Sequence, residues 1–296
     1  ICVGLLKQMR SVGRIQPGHI GAVIREEEYG IVDAWDDVTG EPLDTELVTK
    51  AREEERGEVK KHNVYVKRPI QECWDKTGKA PIKTRWLDIN KGDNIHPEYR
   101  SRWVAKDFKT GNRPDLFAAT PPLEALKMLI SIWMTQGYGW DEHVGERYKM
   151  DFIDIRRAYF HADAIRDVYI ELPEEDAEPG MCGKLLKSMY GTRDAAQNWE
   201  RAYNEFMGKL GFKIGLAGPC VFFHEARDLR AVVHGDDFTL LGPEPALDWF
   251  RGEIVKRFEV KFRGRMGGGE NDCKSIRILN RVVSYFGDRV EYEPDQ

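Results

Sequence analysis

Residues 231–242 read Ala-Val-Val-His-Gly-Asp-Asp-Phe-Thr-Leu-Leu-Gly. Two apolar runs flank a glycine and two adjacent aspartates, the pattern of a β-hairpin closed by a Gly-Asp turn. Strands this apolar imply a buried setting, where neighbouring carboxylates repel and unpaired charge is costly. Either Asp236 and Asp237 make an ordinary solvated turn, or something cationic holds them together. A glycine before the acids suits a crowded tip with little room for a side chain.

The same problem recurs upstream, in the stretch from Tyr148 that contains Met-Asp-Phe-Ile-Asp-Ile. Alternation puts Asp154 on the face of Met150 and Phe152, with Asp151 and Ile153 on the other. If this strand lies beside the hairpin, Asp154, Asp236 and Asp237 converge on one edge of one sheet. Like charges at that range require a counter-charge. Divalent metal is the usual answer, and oxygen ligands favour Mg²⁺ or Mn²⁺. Two such ions serve phosphoryl transfer, one acidifying an attacking hydroxyl and the other steadying the leaving pyrophosphate.

The chain has 296 residues and a net charge of −5, so global electrostatics gives no sign of a nucleic-acid partner. Charge is unevenly placed, however. Residues 60–113 hold 14 Lys/Arg against 6 Asp/Glu, a local excess of 14 − 6 = +8, interleaved with Trp74, Trp86 and Trp103. Within them, two strands, Ile82–Ile89 and Tyr99–Phe108, flank a Lys-Gly-Asp-Asn turn. Such a basic hairpin is able to grip phosphates, and a solvated charged hairpin fits the segment equally well. The 5 cysteines are scattered without a Cys-x-x-Cys pair, so neither a zinc site nor a disulfide framework is supported and a reducing, intracellular setting is the default. The longest apolar run, from Ala125, is too short for a membrane span and reads as a core helix over Pro122–Gln136.

The chain opens Ile-Cys-Val without a methionine, which reads as a fragment of a longer protein. Residues 1–45 carry little pattern, and Asp-Asp-Val-Thr-Gly-Glu-Pro-Leu-Asp reads as a surface loop or linker. A solvated charged helix follows over Thr45–Val59. A helix from about Asp194 places Trp199, Tyr203 and Phe206 on one face, as core. An amphipathic helix from Pro245 and a late strand from Ser275 complete an α+β pattern with a mostly antiparallel sheet.

From roughly Ala51 to Val283 the residues resemble, in order, the reverse transcriptase of copia-type LTR retrotransposons. Tyr-Arg-Ser-Arg-Trp-Val-Ala-Lys-Asp-Phe from Tyr99 is similar to the family's Tyr-Lys-Ala-Arg-Leu-Val-Ala-Lys-Gly-Phe. Asp-Ile-Arg-Arg-Ala-Tyr-Phe-His-Ala-Asp from Asp154 resembles Asp-Val-Lys-Thr-Ala-Phe-Leu-His-Gly-Asp, which selects Asp154 over Asp151. Cys-Gly-Lys-Leu-Leu-Lys-Ser-Met-Tyr-Gly from Cys182 and Gly-Pro-Cys-Val-Phe from Gly218 match further stretches.

The resemblance implies a right-hand polymerase of fingers, palm and partial thumb, with a mostly antiparallel palm sheet. Residues 1–45 would be a linker, 46–145 fingers, 146–243 palm, and 244–296 the end of the palm and start of the thumb. It implies an RNA-directed DNA polymerase that adds dNTPs to a primer 3′ end on an RNA or DNA template, without a membrane. RNase H and integrase domains are expected in the same polyprotein, in a cytoplasmic particle or the nucleus. Asp154 and Asp236 would be the principal ligands of two Mg²⁺ or Mn²⁺ ions, with the Ile155 carbonyl assisting and Asp237 as a secondary ligand. Arg102, Arg100 and Lys83 would bind triphosphate, Tyr159 would exclude a ribose 2′-OH, and Gly191 would line the nucleotide pocket.

Some positions depart from the family. His234-Gly235 replaces Tyr-Val before the aspartates, and His234, at an aromatic position, reads as structural. Asp194 and Ala196 replace Gln and Pro, and Asp107 replaces a glycine, acids expected to weaken triphosphate binding. These substitutions motivate a second reading, a catalytically decayed remnant that still binds nucleic acid. A third is an RNA-dependent RNA polymerase, since Gly-Asp-Asp occurs there too; Tyr159 speaks against it.

Overall fold

The apolar runs on both sides of His234-Gly235-Asp236-Asp237 are uninterrupted because their strands are covered on both faces. The structure, a computed structural model, describes residues 34–294 apart from 94, 109–117, 119, 136, 142–144 and 217. Residues 1–33 of the expected linker, and Lys109 and Arg113 of the basic segment, lie outside the described residues.

The chain begins with the pair β1 (Ala34–Trp35) and β2 (Pro42–Leu43), then α1 (Thr45–Lys61), β3 (Tyr65–Pro69) and α2 (Ile70–Thr77). The basic hairpin follows as β4 (Thr84–Asn90) and β5 (Tyr99–Ala105). After α3 (Leu123–Met134) come the short β6 (Trp140–Asp141) and β7 (Glu146–Arg147) and the acidic strand β8 (Lys149–Ile155). Then follow β9 (Tyr169–Ile170), β10 (Met181–Leu185), α4 (Ala195–Lys209), β11 (Lys213–Gly215) and β12 (Gly218–His224). The acidic hairpin is β13 (Leu229–His234) with β14 (Asp237–Gly242). Beyond α5 (Glu244–Arg257) lie β15 (Val260–Met266), β16 (Ser275–Ile278), β17 (Arg281–Tyr285) and β18 (Val290–Pro294).

Six strands form the central antiparallel sheet in the order β11-β12-β13-β14-β8-β15. Helices α4 and α5 supply one side of its core, where Trp199, Tyr203, Phe250 and Ile254 meet Ile153, Ile155, Phe238 and Leu240. On the other side α3 and the small sheet β16-β17-β18 bury Leu129, Trp133, Val283 and Tyr285 against Met150, Phe152 and Leu241. Trp133 stacks on Tyr285 with ring centroids 4.8 Å apart. The alternation read on β8 is therefore real, but each of its faces finds a core. The fold is α+β, as expected.

A second core, with Val59, Val64, Trp103, Phe160 and Leu185, joins α1 and β5 to the sheet β3-β10-β9. Helix α1 starts where the Asp44 carboxylate accepts from the backbone of Glu46 and Leu47, 2.9 and 3.0 Å away. It is more than a solvated helix: Val48, Ala51, Glu55 and Val59 are buried along it. Arg52 donates two bonds to the buried Asp88 of β4, 2.6 and 3.2 Å, and the Ser101 hydroxyl of β5 donates a third at 2.6 Å. Nor is 36–44 a linker. The buried Asp36 accepts from the backbone of Val38, Thr39 and Asn90, which fixes the β1-β2 loop to β4. The late strand from Ser275 is two strands instead, β16 and β17. Leu279 and Asn280 both take positive φ, 50° and 56°, the pattern of a type I′ hairpin turn.

Asp151 shows why β8 carries two acids of different use. Its side chain is buried, 1% exposed, on the α5 side of the sheet. Arg251 of α5 donates to it at 2.6 and 2.9 Å, and Arg265 of β15 at 2.7 and 3.0 Å. All four acceptor directions are used by two guanidinium forks, which ties helix and edge strand to the central strand. Removing the carboxylate leaves two arginines facing a dry site, whereas the ion-pair partner of Asp154 among the described residues, Arg263, is one-third exposed. Asp151→Ala is expected to cost about 3–5 kcal/mol of unfolding free energy, and Asp154→Ala less than about 1 kcal/mol, by urea denaturation.

Candidate active site

The hairpin tip is built by its backbone. His234 and Asp237 pair directly, leaving Gly235 and Asp236 as the two turn residues. Gly235 has φ of 62° while Asp236 is not among the positive-φ residues, the pattern of a type II′ turn, which calls for glycine first. A Cβ on Gly235 would meet nothing within 4 Å. Backbone angle, not crowding, therefore explains this glycine. Two bonds pin the tip: Trp199 Nε1 donates to the Gly235 carbonyl at 2.7 Å, and the Ile155 N–H donates to the Asp236 carbonyl at 2.9 Å. Trp199, read only as core, also fixes the position of the acids.

The ladder between β14 and β8 places Asp237 directly across from Asp154. Asp236, one residue earlier, lines the same cleft as Asp154 and Ile155, a cavity of about 540 Å³. The three acids expected to converge do so. Two carboxylates directly opposite on neighbouring strands repel, and Asp237 is mostly buried. Burial, with the charges of Asp236 and Asp154 and against the pull of Arg263, pushes its carboxyl up to about 6. Its Oδ1 is buried without a hydrogen-bond donor among the described residues. Arg263 lies nearby, Nη2 3.1 Å from Asp154 Oδ2 and Nη1 3.7 Å from Asp237 Oδ1. A donor set of carboxylates alone, one oxygen of it buried and unsatisfied, fits a hard divalent cation.

Cations line the rest of the cleft. Lys91, Arg100, Arg156, Arg157, Lys261 and Arg263 face it, with Glu54, Glu55 and Glu98. On β5 the side chains of Ser101, Trp103 and Ala105 are buried, while Arg100 and Arg102 alternate with them. Burial and the charge of Arg102 hold Arg100 below its ordinary range. Burial and the charges of Arg100 and Arg102 do the same to Lys91. Neither Arg100 nor Arg102 has an acid partner among the described residues. Clustered cations of this kind, not tied into ion pairs, offer a place for an anion. Arg157 is committed differently, donating to the buried Glu55 at 2.9 Å from a backbone with φ of 50°.

Tyr159 stands between these groups. Its hydroxyl is raised by burial and then by the charge of Asp236, and lowered by Arg102. Its ring lies 4.9 Å from that of Tyr190, over which the Arg102 guanidinium sits at 4.6 Å. Five expected residues are not among those that line the cleft: Asp237, which lines a separate groove, Arg102 and Tyr159, which adjoin the cleft through Tyr190 and Asp236, and Lys83 and Gly191. Lys83 is exposed at the entry to β4. Gly191 takes φ of 83° and packs on β5, where a Cβ would come 2.0 Å from the Ala105 carbonyl oxygen. It is required by that close approach.

The two acids expected to weaken anion binding are already paired. Arg166 reaches both, in contact with Asp107 Oδ2 and 2.9 Å from Asp194 Oδ1. Asp107 also accepts from the Arg193 N–H at 3.1 Å, and Asp194 from Asn198 Nδ2 at 3.1 Å. His234 faces away from the cleft's cations. It lines a second groove of about 350 Å³ with Asp237, Leu126 and Leu279–Arg281. Elsewhere, Glu58, His62 and Glu259 bring ligand atoms within 4.8 Å of one another. Lys61 supplies their cation, with Nζ 3.2 and 2.8 Å from the two glutamates.

Sequence reading missed Lys91, Lys261, Arg263 and Arg166. Lys261 and Arg263 stand two apart in an edge strand, a signal that alternation offers. Arg166 becomes meaningful only once chain segments 59 residues apart meet.

Three neighbouring aspartates at the end of an antiparallel sheet thus lie beside a basic hairpin. Residues 57–267 match the family model described as Reverse transcriptase (RNA-dependent DNA polymerase), and the chain belongs to that family. Its relatives include polyproteins of copia-type plant retrotransposons. It is 24% identical over 240 residues to the Retrovirus-related Pol polyprotein from transposon TNT 1-94 of Nicotiana tabacum, covering 77% of this chain and 17% of that protein. Over 204 residues it is 23% identical to the corresponding polyprotein from transposon RE1 of Arabidopsis thaliana, covering 64% and 13%. The chain thus spans less than a fifth of either relative. A foamy viral protease-reverse transcriptase solved with double-stranded DNA aligns over 80% of this chain and 34% of its own, at 8% identity and a TM-score of 0.41. Among the described residues no helix is long and apolar enough to cross a membrane.

Asp237 gives the site a pH signature. With its carboxyl raised to about 6, the folded chain takes up that proton before the unfolded chain does as pH falls. The ionised group therefore costs stability above that pH, and the cost fades as pH drops through about 6 towards the unfolded value. In EDTA, Asp237→Asn should stabilise the protein by on the order of 2 kcal/mol at pH 7.5 and by roughly half as much at pH 5. Thermal unfolding at the two pH values measures the difference.

Proposed function

We propose that this chain is the polymerase unit of a retrotransposon Pol protein and copies an RNA or DNA template by adding dNTPs to a primer 3′ end. The observation that carries this is the Asp154–Asp237 cross-strand pair, with Asp236 on the pinned tip facing the cation-lined cleft. In right-hand terms, 46–145 serve as fingers, 146–243 as palm, and 244–296 as the end of the palm and start of the thumb. RNase H and integrase domains in the same polyprotein belong to this reading.

Asp154 and Asp236 are the main ligands of two Mg²⁺ or Mn²⁺ ions, with Asp237 secondary and the Ile155 carbonyl available at the cleft wall. Bound there, such ions supply acidification of the primer hydroxyl and neutralisation of charge on the leaving pyrophosphate. The protein's own part is positional. Arg100 and Arg102 on the outward face of β5, with Lys91 from the adjoining turn, hold the triphosphate oxygens where charge accumulates during transfer. Lys83 is a peripheral contact at most, and Gly191 holds the Tyr190 segment against β5. Tyr159, between Asp236 and Arg102, closes the space beside the sugar and selects against a 2′-OH. Trp199 and the Ile155 N–H keep the tip from moving as the acids take up cations.

Pairing of Asp107 and Asp194 with Arg166 supports an intact site over a decayed one, because both acids are tied down by the same guanidinium and part of their charge is offset. On an RNA primer-template with Mg²⁺, the purified chain should extend the primer with dNTPs. Asp236→Asn should lower the rate at least about a thousandfold while leaving the thermal midpoint near that of the parent. Absence of extension by the parent chain, with folding intact, would favour the decayed remnant. Tyr159→Ala should raise incorporation of ribonucleotides relative to deoxyribonucleotides by tenfold or more. An unchanged ratio would remove the gate assignment and reopen the RNA polymerase reading.

A further inference from the structure

Strand β15 runs along β8 with one irregularity. Lys261 pairs with Asp154 and Phe262 with Ile153, but Gly264 pairs with Phe152, so Arg263 is an extra residue without a partner on β8. Bulges of this kind bend an edge strand and re-aim a side chain. In a regular strand Lys261, Arg263 and Arg265 would share one face. Here Arg265 crosses to the opposite face and locks Asp151, while Arg263 remains on the cleft side.

From that position the Arg263 guanidinium spans two carboxylates that face each other across the ladder. It donates to Asp154 Oδ2 at 3.1 Å, and its other terminal nitrogen is 3.7 Å from Asp237 Oδ1. The second distance is too long for a hydrogen bond, so Asp237 gains Coulombic relief while its buried oxygen has no donor among the described residues. Lys261, although directly across from Asp154, forms no ion pair with it among the described residues.

Resting on the reading of Asp154, Asp236 and Asp237 as metal ligands, we infer that Arg263 is a built-in counter-cation of that site. It holds Asp154 and Asp237 in register before metal arrives, and it must leave the carboxylates for a divalent ion to be shared between them. Two cations cannot occupy the space between the same two carboxylates, because each raises the other's electrostatic energy. Arg263 can leave at low cost: its side chain is 33% exposed, and it already lines the open cleft. Metal entry is therefore an exchange of one cation for another, and apparent affinity is reduced by the fraction of molecules in which Arg263 holds the acids.

The test is a Mn²⁺ titration of the full chain, followed by electron paramagnetic resonance of the free ion, without nucleotide or primer. Arg263→Leu should bind Mn²⁺ about tenfold more tightly than the parent, Arg263→Gln nearly as tightly as Arg263→Leu, and Arg263→Lys close to the parent. In EDTA, Arg263→Leu should melt lower than the parent and recover more on adding Mn²⁺. Arg263→Gln keeps the length of the side chain and serves if the leucine variant folds poorly. Equal or weaker Mn²⁺ affinity in both neutral variants, with binding lost in Asp154→Asn, would overturn the counter-cation role and leave the ligand assignment standing. Unchanged binding in Asp154→Asn would instead remove the ligand assignment itself.

Discussion

Strand β8 is hydrogen-bonded on both edges, to β14 and β15, and buried on both faces, so it has no freedom to slide or turn over. A slip of one residue would exchange Met150 and Phe152 with Asp151 and Ile153 between the two cores. Two aspartates three residues apart on such a strand must point to opposite sides. One is satisfied within the protein by Arg251 and Arg265 and fastens α5 and β15 to the sheet. The other is held at the cleft, where its ion-pair partner among the described residues, Arg263, is one-third exposed. Structural and chemical charge are thereby kept on one rigid element without competing for the same arginines.

A chain with net charge −5 builds a cationic cleft by sorting its basic residues. Lys67 is taken up by Asp176 and Glu178, and Arg85 by Asp37. Arg52, from the neighbouring helix, is taken up by Asp88. Among the described residues Arg100 and Arg102, which alternate with the buried Ser101 and Trp103 on β5, form no ion pair with an acid. The hairpin is therefore held by internal ion pairs at its back and repelled within itself at its front. That repulsion is a cost an incoming polyphosphate would relieve. Arg166 at its border bridges Asp107 and Asp194 and offsets part of their charge.

Local patterns were readable in the sequence, and encounters between distant segments were not. The tip at Gly235-Asp236, the face of Asp154 and the Trp199-Tyr203-Phe206 stripe follow from periods of two and 3.6 within short windows. That β8 would pair with β14 needed the supposition that the two acidic strands are neighbours, and the structure makes it so. Charge runs misled where a single residue mattered: the thin apolar face of α1 gave no sign that Glu55 is buried against Arg157. Lys83 belonged to the basic segment by composition, yet its position before β4 leaves it outside the cleft. Gly191 was expected at the nucleotide and is instead fixed by Ala105, a backbone contact that residue types cannot reveal. The Leu279-Asn280 turn lacks the glycine that would have split the last strand on sight.

The bulge in β15 separates a side chain from the ladder that carries it. Phe262 and Gly264 already face consecutive positions of β8, Ile153 and Phe152. A chain shortened by Arg263 alone could keep every other pairing, including Arg265 against Asp151, as an unbroken strand. The extra residue is thus a graft on a finished sheet, and its identity can drift without renegotiating the fold around it. The side chain at that position is therefore set by the two carboxylates it spans and not by the pairing of the strand.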